Sequence, residues 1–365
     1  MPPEPRASVG AITLPVRRLH VELTNRCNFS CEFCPDSKMS RPRGSMEFDL
    51  LERILSDARG VAREIHFHVM GEPALYPRLG EAIRHTDRMG FVPSVTTNGS
   101  LLSPRMANNL AACGLEHMTV SVQTPDPDSF RSRGAPGLTF REYMARIVDT
   151  SRSVLAEPHG MRLTLVFLTN PLGRFLAPDP PSGNVPTTGG ALRMHLSCWA
   201  EEIVRGTPHE AELPAILRRI RKAGVLKESV IPLSDRVHFR VRILGNWAGH
   251  FELPIVPAKF GYCPGLVENF GILWNGDYVI CCTDFDGQTV MANHVDTSVR
   301  GYLALPEVQA VAAGFRRLRV RHPHCGICLG ERGAVNSALR QFGSVVYFKV
   351  YRKIFDRPGR RGVAV

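Results

Sequence analysis

Apolar strand-like runs and amphipathic helix-like runs alternate about six times before residue 243. RLHVELT (18–24), EIHFHVM (64–70), FVPSVTT (91–97), HMTVSVQ (117–123), MRLTLVFLTN (161–170) and VHFRVRI (237–243) read as strands. Between them, 46–59, 79–90, 103–114 and 139–155 carry apolar residues at helical spacing. Ser103 caps the third helix, Pro104 opens it and Gly114 ends it. Strict alternation implies parallel strands joined by crossover helices. Six units are too few to close an eight-unit barrel, so the expected fold is α/β, an open partial (β/α)6 TIM-like barrel. Functional groups in such a fold lie at the C-terminal ends of the strands. The run CNFSCEFCP (27–35) follows the first strand at that end.

The boundaries follow from where this grammar starts and stops. Residues 1–17 are Pro-rich and read as a flexible arm, and 18–250 as the barrel. Residues 171–235 form an insertion, with a Pro/Gly-rich loop (171–190) read as a lid or a surface excursion, then a helix at 214–224. Residues 255–332 form a smaller unit with a hairpin, ILW-NGD-YVICC, turning at Asn275-Gly276, and a helix at 305–319. Residues 333–365 read as a basic amphipathic helix and tail. That helix packs on the protein or, as the lesser reading, touches a membrane surface.

The chain has 365 residues, a net charge of +11 and ten cysteines. No apolar run is long enough to span a bilayer, and no signal peptide is visible. The expected location is the cytoplasm. The arginines are scattered rather than clustered, which argues against nucleic-acid binding. In a reducing compartment, grouped cysteines point to metal rather than to disulfides. The groups are 27, 31, 34; then 263, 281, 282; then 325, 328, with Cys113 and Cys198 alone. Three thiolates suit a cubane cluster with one open iron; with a distant fourth ligand they suit zinc.

The cysteine loop resembles the CxxxCxxC loop of radical S-adenosylmethionine (SAM) enzymes, including aromatic Phe33. MGEP (70–73) after the second strand resembles that family's GGEP motif, and TTNGS (96–100) after the third resembles its T-N-G segment. The resemblance covers residues 18–243. It implies that Cys27, Cys31 and Cys34 hold a [4Fe–4S] cluster whose free iron binds SAM. It places the Phe33 backbone near the adenine, Gly71, Glu72 and Pro73 at the methionyl ammonium, and Thr97 and Asn98 near the ribose side. Met70 stands where the family has glycine. Ser121 reads either as a donor to the SAM carboxylate or as strand-end polarity, as does Gln123. The activity implied is reductive cleavage of SAM to a 5′-deoxyadenosyl radical that abstracts hydrogen from substrate, fed by flavodoxin or ferredoxin.

Cys263, Cys281, Cys325 and Cys328 resemble the SPASM/twitch auxiliary-cluster extension of the same superfamily, which implies a second [4Fe–4S] cluster. Structural zinc is the alternative. Cys282 is spare, either a hydrogen-atom donor or a small buried residue. His66 and His68 share a face of one strand, but the sequence does not say which. A fully ligated auxiliary cluster suits electron transfer. The expected function is therefore oxidation of a small polar substrate such as a sugar, an aminocyclitol or a natural product. The alternative is peptide modification, disfavoured because the first strand begins near residue 18 and leaves no room ahead for a peptide-binding domain.

Overall fold

The computed structural model describes residues 7–156, 160–170, 185–186, 188–226, 228–243 and 250–352. Nine strands form one mostly parallel sheet: β1 (Val16–Val21), β2 (Ala62–Phe67), β3 (Val92–Thr97), β4 (His117–Gln123), β5 (Arg162–Thr169), β6 (Ser229–Pro232), β7 (Val237–Ile243), β8 (Asn269–Ile272) and β9 (Tyr278–Val279). Their spatial order is β9-β8-β1-β2-β3-β4-β5-β7-β6. β8 through β7 run parallel, and only the edge strands β9 and β6 are antiparallel. With helices packed against the sheet, this is the expected α/β architecture.

Period-2 patterning explains the layering. Leu19, Val21, Ile65, Phe67, Val95, Val120, Leu163 and Leu165 are at most 1% exposed and merge with the helix core. The helix Phe48–Asp57 contributes Leu51 and Ile54, and Leu79–Arg88 contributes Ala82 and Ile83. In the helix Pro104–Ala112, Ser103 Oγ accepts from Met106 N at 3.2 Å, the expected cap.

Several elements differ from the sequence reading, whereas the last helix packs on the protein as expected. Residues 1–6 lie outside the described residues, but from Ser8 the supposed arm is packed. Ser8–Val9 and Ile12–Thr13 form a hairpin, Ile12 and Leu14 are buried, and Ala11 N donates to Gln309 Oε1 at 2.7 Å. Most of the supposed lid, 171–184 and 187, lies outside the described residues. Beyond it runs a 16-residue helix, Gly189–Val204, that the sequence reading missed; it buries Leu192, Leu196, Trp199 and Ile203. The hairpin does turn at Gly276, whose φ is +93°. Its first strand, β8, also adds in parallel to β1, so this hairpin extends the barrel sheet. The last helix, Ala334–Val345, continues as a π-helical turn to Tyr351 and lies along residues 256–268. There Ser337 Oγ donates to Val256 O at 2.8 Å and Tyr262 N to Ser344 Oγ at 3.1 Å. Among the described residues, no helix is long and apolar enough to cross a membrane.

Candidate functional site

The loop after β1 is gripped from two sides. On one side, Glu72 N donates to Arg26 O at 2.8 Å. On the other, Ser30 N and Glu32 N donate to Arg133 O and Ser132 O at 3.2 and 2.9 Å. Gly71 makes the first grip possible. Its φ is +76°, and a Cβ there would lie 2.4 Å from Thr24 O. Cys27, Cys31 and Cys34 are thereby held half-buried, and burial pushes all three thiols up, Cys34 to about 12. The negative charge of neighbouring thiolates adds to the rise in Cys27 and Cys34.

Glu72 is 1% exposed, and its carboxylate is fully engaged. It accepts from Asn98 N at 2.5 Å, Thr97 Oγ1 at 2.6 Å and Ala74 N at 3.0 Å. Burial raises its pKa and these three bonds oppose the rise. Glu72 thus ties the 70–73 loop to the 97–98 loop. Asn98 Nδ2 lies 3.7 Å from Cys27 Sγ and 2.9 Å from Asn28 Oδ1. Phe33 and Pro73 are buried beside these loops.

Arg133 was missed by the sequence reading. It is 1% exposed and follows β4. Its Nη1 donates to Ser121 O at 2.8 Å and to Gln123 Oε1 at 2.7 Å. Gln123 itself has φ +61°, at a break in the β4–β5 register. The guanidinium lies 5.1 Å from the Phe29 ring centre and 5.9 Å from that of Phe33, and its Nε is buried with no partner. Its charge holds down the Cys31 thiol against burial. A buried guanidinium with an open donor is a ready partner for a carboxylate.

The second set also gathers. Cys263 and Cys281 come from the segments before β8 and after β9. Cys325 and Cys328 come from the helix Pro323–Leu329. Burial raises all four thiols, and the charge of Cys281, Cys328 and Cys325 raises Cys263 further. Among the described residues, no group of three or more His, Cys, Asp or Glu side chains forms a single-ion cage. In the first set Cys34 feels the charge of Cys31 and Cys27, and in the second Cys263 feels that of the other three. Cys113 is bonded by Arg84 Nη2 at 3.1 Å in the helix layer, and Cys198 is exposed; neither belongs to either set. His324 stacks on Phe251 with centroids 4.5 Å apart, beside Cys325.

An apolar plug of Val69, Met70, Leu273, Val279 and Phe285 lies beside the first set, with Cys34 and Cys282 packed against it. Burial raises the Cys282 thiol to about 12, opposed by the charges of Arg18 and Arg242. Glu22, also missed, locks the junction. Its side chain is 0% exposed and paired bidentately with Arg41; it also accepts from Met70 N at 3.1 Å and Trp274 N at 3.2 Å.

Residues 21–152 match the profile of a family described as the radical SAM superfamily. The chain is 35% identical over 109 residues to a tungsten-containing aldehyde ferredoxin oxidoreductase cofactor-modifying protein of Pyrococcus furiosus, covering 29% of this chain and 31% of that one. It is 27% identical over 186 residues to a PqqA peptide cyclase of Streptomyces rochei, covering 50% and 46%. The chain thus spans less than half the length of these curated relatives. In structure it resembles Streptococcus suis SuiB bound to S-adenosylmethionine, with a TM-score of 0.52 and 14% identity, covering 83% of this chain and 69% of that one. At that identity the likeness concerns the fold.

Proposed function

The chain carries a radical SAM domain, and on that premise we propose that it is an oxidoreductase acting on a small polar substrate, with a second cluster taking up an electron. The family implies one [4Fe–4S] cluster and SAM. When bound, they supply a carbon radical able to take hydrogen from an unactivated C–H bond. Cys27, Cys31 and Cys34 hold the cluster, and the Asn98 amide stabilises the Cys27 sulfur. Arg133 offers its open donor to the SAM carboxylate and orients Gln123 and the Ser121 backbone. Glu72 supplies negative charge for the methionyl ammonium while Thr97 fixes its rotamer. Gly71 and Pro73 shape that loop, and the Phe33 backbone borders the adenine. The plug around Met70 shields the Cys34 side of the first centre from water.

The observation that carries the oxidoreductase reading is the second set of four thiols. Cys263, Cys281, Cys325 and Cys328 would hold a second [4Fe–4S] cluster with a thiolate for each iron, which would leave no iron open to a substrate. Such a centre is suited to receiving an electron, and a flavodoxin- or ferredoxin-type reductant feeds the first. Cys282 is assigned as a hydrogen-atom donor for outcomes that retain the hydrogen. Anaerobic reconstitution tests the reading: about eight irons per chain are expected, and about four would refute the second cluster. A second reading, modification of a peptide, draws on the similarity to the PqqA peptide cyclase. Solvent deuterium incorporated at a peptide α-carbon would favour it.

A further inference from the structure

The sheet face opposite the helix core is not built as an inert interior. One register row crosses five strands: His20 opposite His66, His66 opposite Ser94, Ser94 opposite His117, and His117 opposite Arg162. Parallel barrels fill such rows with branched apolar side chains, and this row has none. The His20, His66 and His68 rings cluster, with centroids 5.2, 5.4 and 6.2 Å apart. Arg162 Nη2 lies 2.6 Å from His117 Nε2, and His66 Nε2 lies 2.8 Å from Thr96 Oγ1. Burial keeps the three clustered imidazoles neutral.

Five polar atoms on this face are buried without a hydrogen-bond partner: Nδ1 of His20, His66 and His238, Ser94 Oγ and Arg242 Nε. Native structures rarely leave such atoms unpaired. Gathered on one wall, they mark where a polar ligand completes the bonding. The charge on the wall selects that ligand. Glu64 already accepts from Arg18 at 2.9 and 3.1 Å. Glu228 faces Arg240 at 3.3 Å and Arg242 at 3.6 Å. Among these groups the guanidiniums of Arg18, Arg162, Arg240 and Arg242 outnumber the carboxylates of Glu64 and Glu228. The excess positive charge repels an ammonium group and favours an oxyanion, which the neutral imidazoles and the Ser94 hydroxyl can meet as hydrogen-bond donors.

Resting on the radical reading above, we infer that the row His20–His66–His117–Arg162 seats the oxyanion group, phosphate or carboxylate, of an anionic small-molecule substrate. This narrows the substrate class to small molecules that carry an acid group. The acid group is the handle on the sheet face, and the reacting carbon is held toward the strand tips that carry the cysteine loop.

Equilibrium dialysis of the reconstituted full chain against radiolabelled inorganic phosphate tests the site. The wild type is expected to bind saturably at about 1 mM or tighter. His66→Gln and Arg162→Gln, each checked for a wild-type thermal transition, are expected to weaken binding about tenfold or more. Competition by acetate below the phosphate concentration assigns a carboxylate; the reverse assigns a phosphate. If a variant fails to fold, ring-nitrogen spectra of the histidine-labelled wild type must show phosphate moving imidazole signals. No saturable binding, unchanged affinity in both folded variants, or unmoved rings overturns the site. Reductive SAM cleavage by the wild type without added anion separates the two ideas. Cleavage without phosphate binding overturns only the anion site. Phosphate binding without cleavage overturns only the radical reading.

Discussion

Gly71→Ala probes whether the loop after β2 truly grips the cysteine loop. Alanine at φ +76° loses about 1–2 kcal/mol from its left-handed backbone alone. Its Cβ would also lie 2.4 Å from Thr24 O and 2.8 Å from Arg26 O, both backbone atoms that no rotamer change can move away. Relief requires a shift of roughly 1 Å to reach ordinary contact, at an overpacking cost of about 1–3 kcal/mol. The total is about 2–5 kcal/mol. That shift falls on the segment that accepts from Glu72 N and leads directly into Cys27. Urea unfolding of the apoprotein should show the loss, and reconstitution should show reduced iron at the first centre. Gly80→Ala is the control. Gly80 lies in the helix Leu79–Arg88, where a Cβ would meet only Cys113 Sγ at an ordinary 3.6 Å. It should be neutral or stabilising by up to about 1 kcal/mol. If Gly71→Ala matches Gly80→Ala in both stability and iron content, the grip is not what holds the loop.

Cys31→Ala should abolish reductive cleavage of SAM to 5′-deoxyadenosine, and retained cleavage would displace the cluster assignment. Cys325→Ala should remove about half of the bound iron while leaving SAM cleavage, measured by iron quantitation and chromatography of the nucleoside. Arg133→Leu should weaken SAM binding by about 1.5–3 kcal/mol, roughly tenfold or more, read by equilibrium dialysis. Glu22→Ala strands the partly buried Arg41 and should destabilise the chain by about 3–5 kcal/mol in urea unfolding.

What could be read in the sequence, and what could not, divides by range. Helix Leu79–Arg88 and strands β3, β4 and β7 fall within two residues of their sequence-based limits, because period and end signals are local. The three motifs were readable for the same reason: 27–34, 70–73 and 96–100 are each contiguous. The helix Gly189–Val204 escaped because two glycines open it and a Pro/Gly-rich run precedes it, although Leu192, Leu196, Trp199 and Ile203 keep helical spacing. Arg133, in RSRG, reads as an exposed loop residue, since arginine is rarely buried without partners. Its partners, Ser121 O, Gln123 and the thiol of Cys31, are supplied only by the fold.

The polar wall was the hardest feature to read, and the reason is physical. H-F-H on β2 and H-F-R-V-R on β7 each announce two faces of a strand. A period of two cannot say which face meets the helices. That choice is made by register: pairing Leu19 with Ile65, and Val120 with Leu165, commits one face of each strand to the core. The same pairings align His20, His66, Ser94, His117 and Arg162 on the other face. Moving β1, β2, β4 or β5 by a single residue would bury an imidazole or a guanidinium among the helices, and moving β3 would bury the Ser94 hydroxyl there. The apolar residues that stabilise the barrel and the polar residues proposed to read the substrate are therefore placed by one constraint. A substitution that slips register, such as Ile65→Asp, should cost stability and anion binding together. His66→Gln should lower binding alone, and a matched loss of stability in that variant would show that the row is core and not a binding wall.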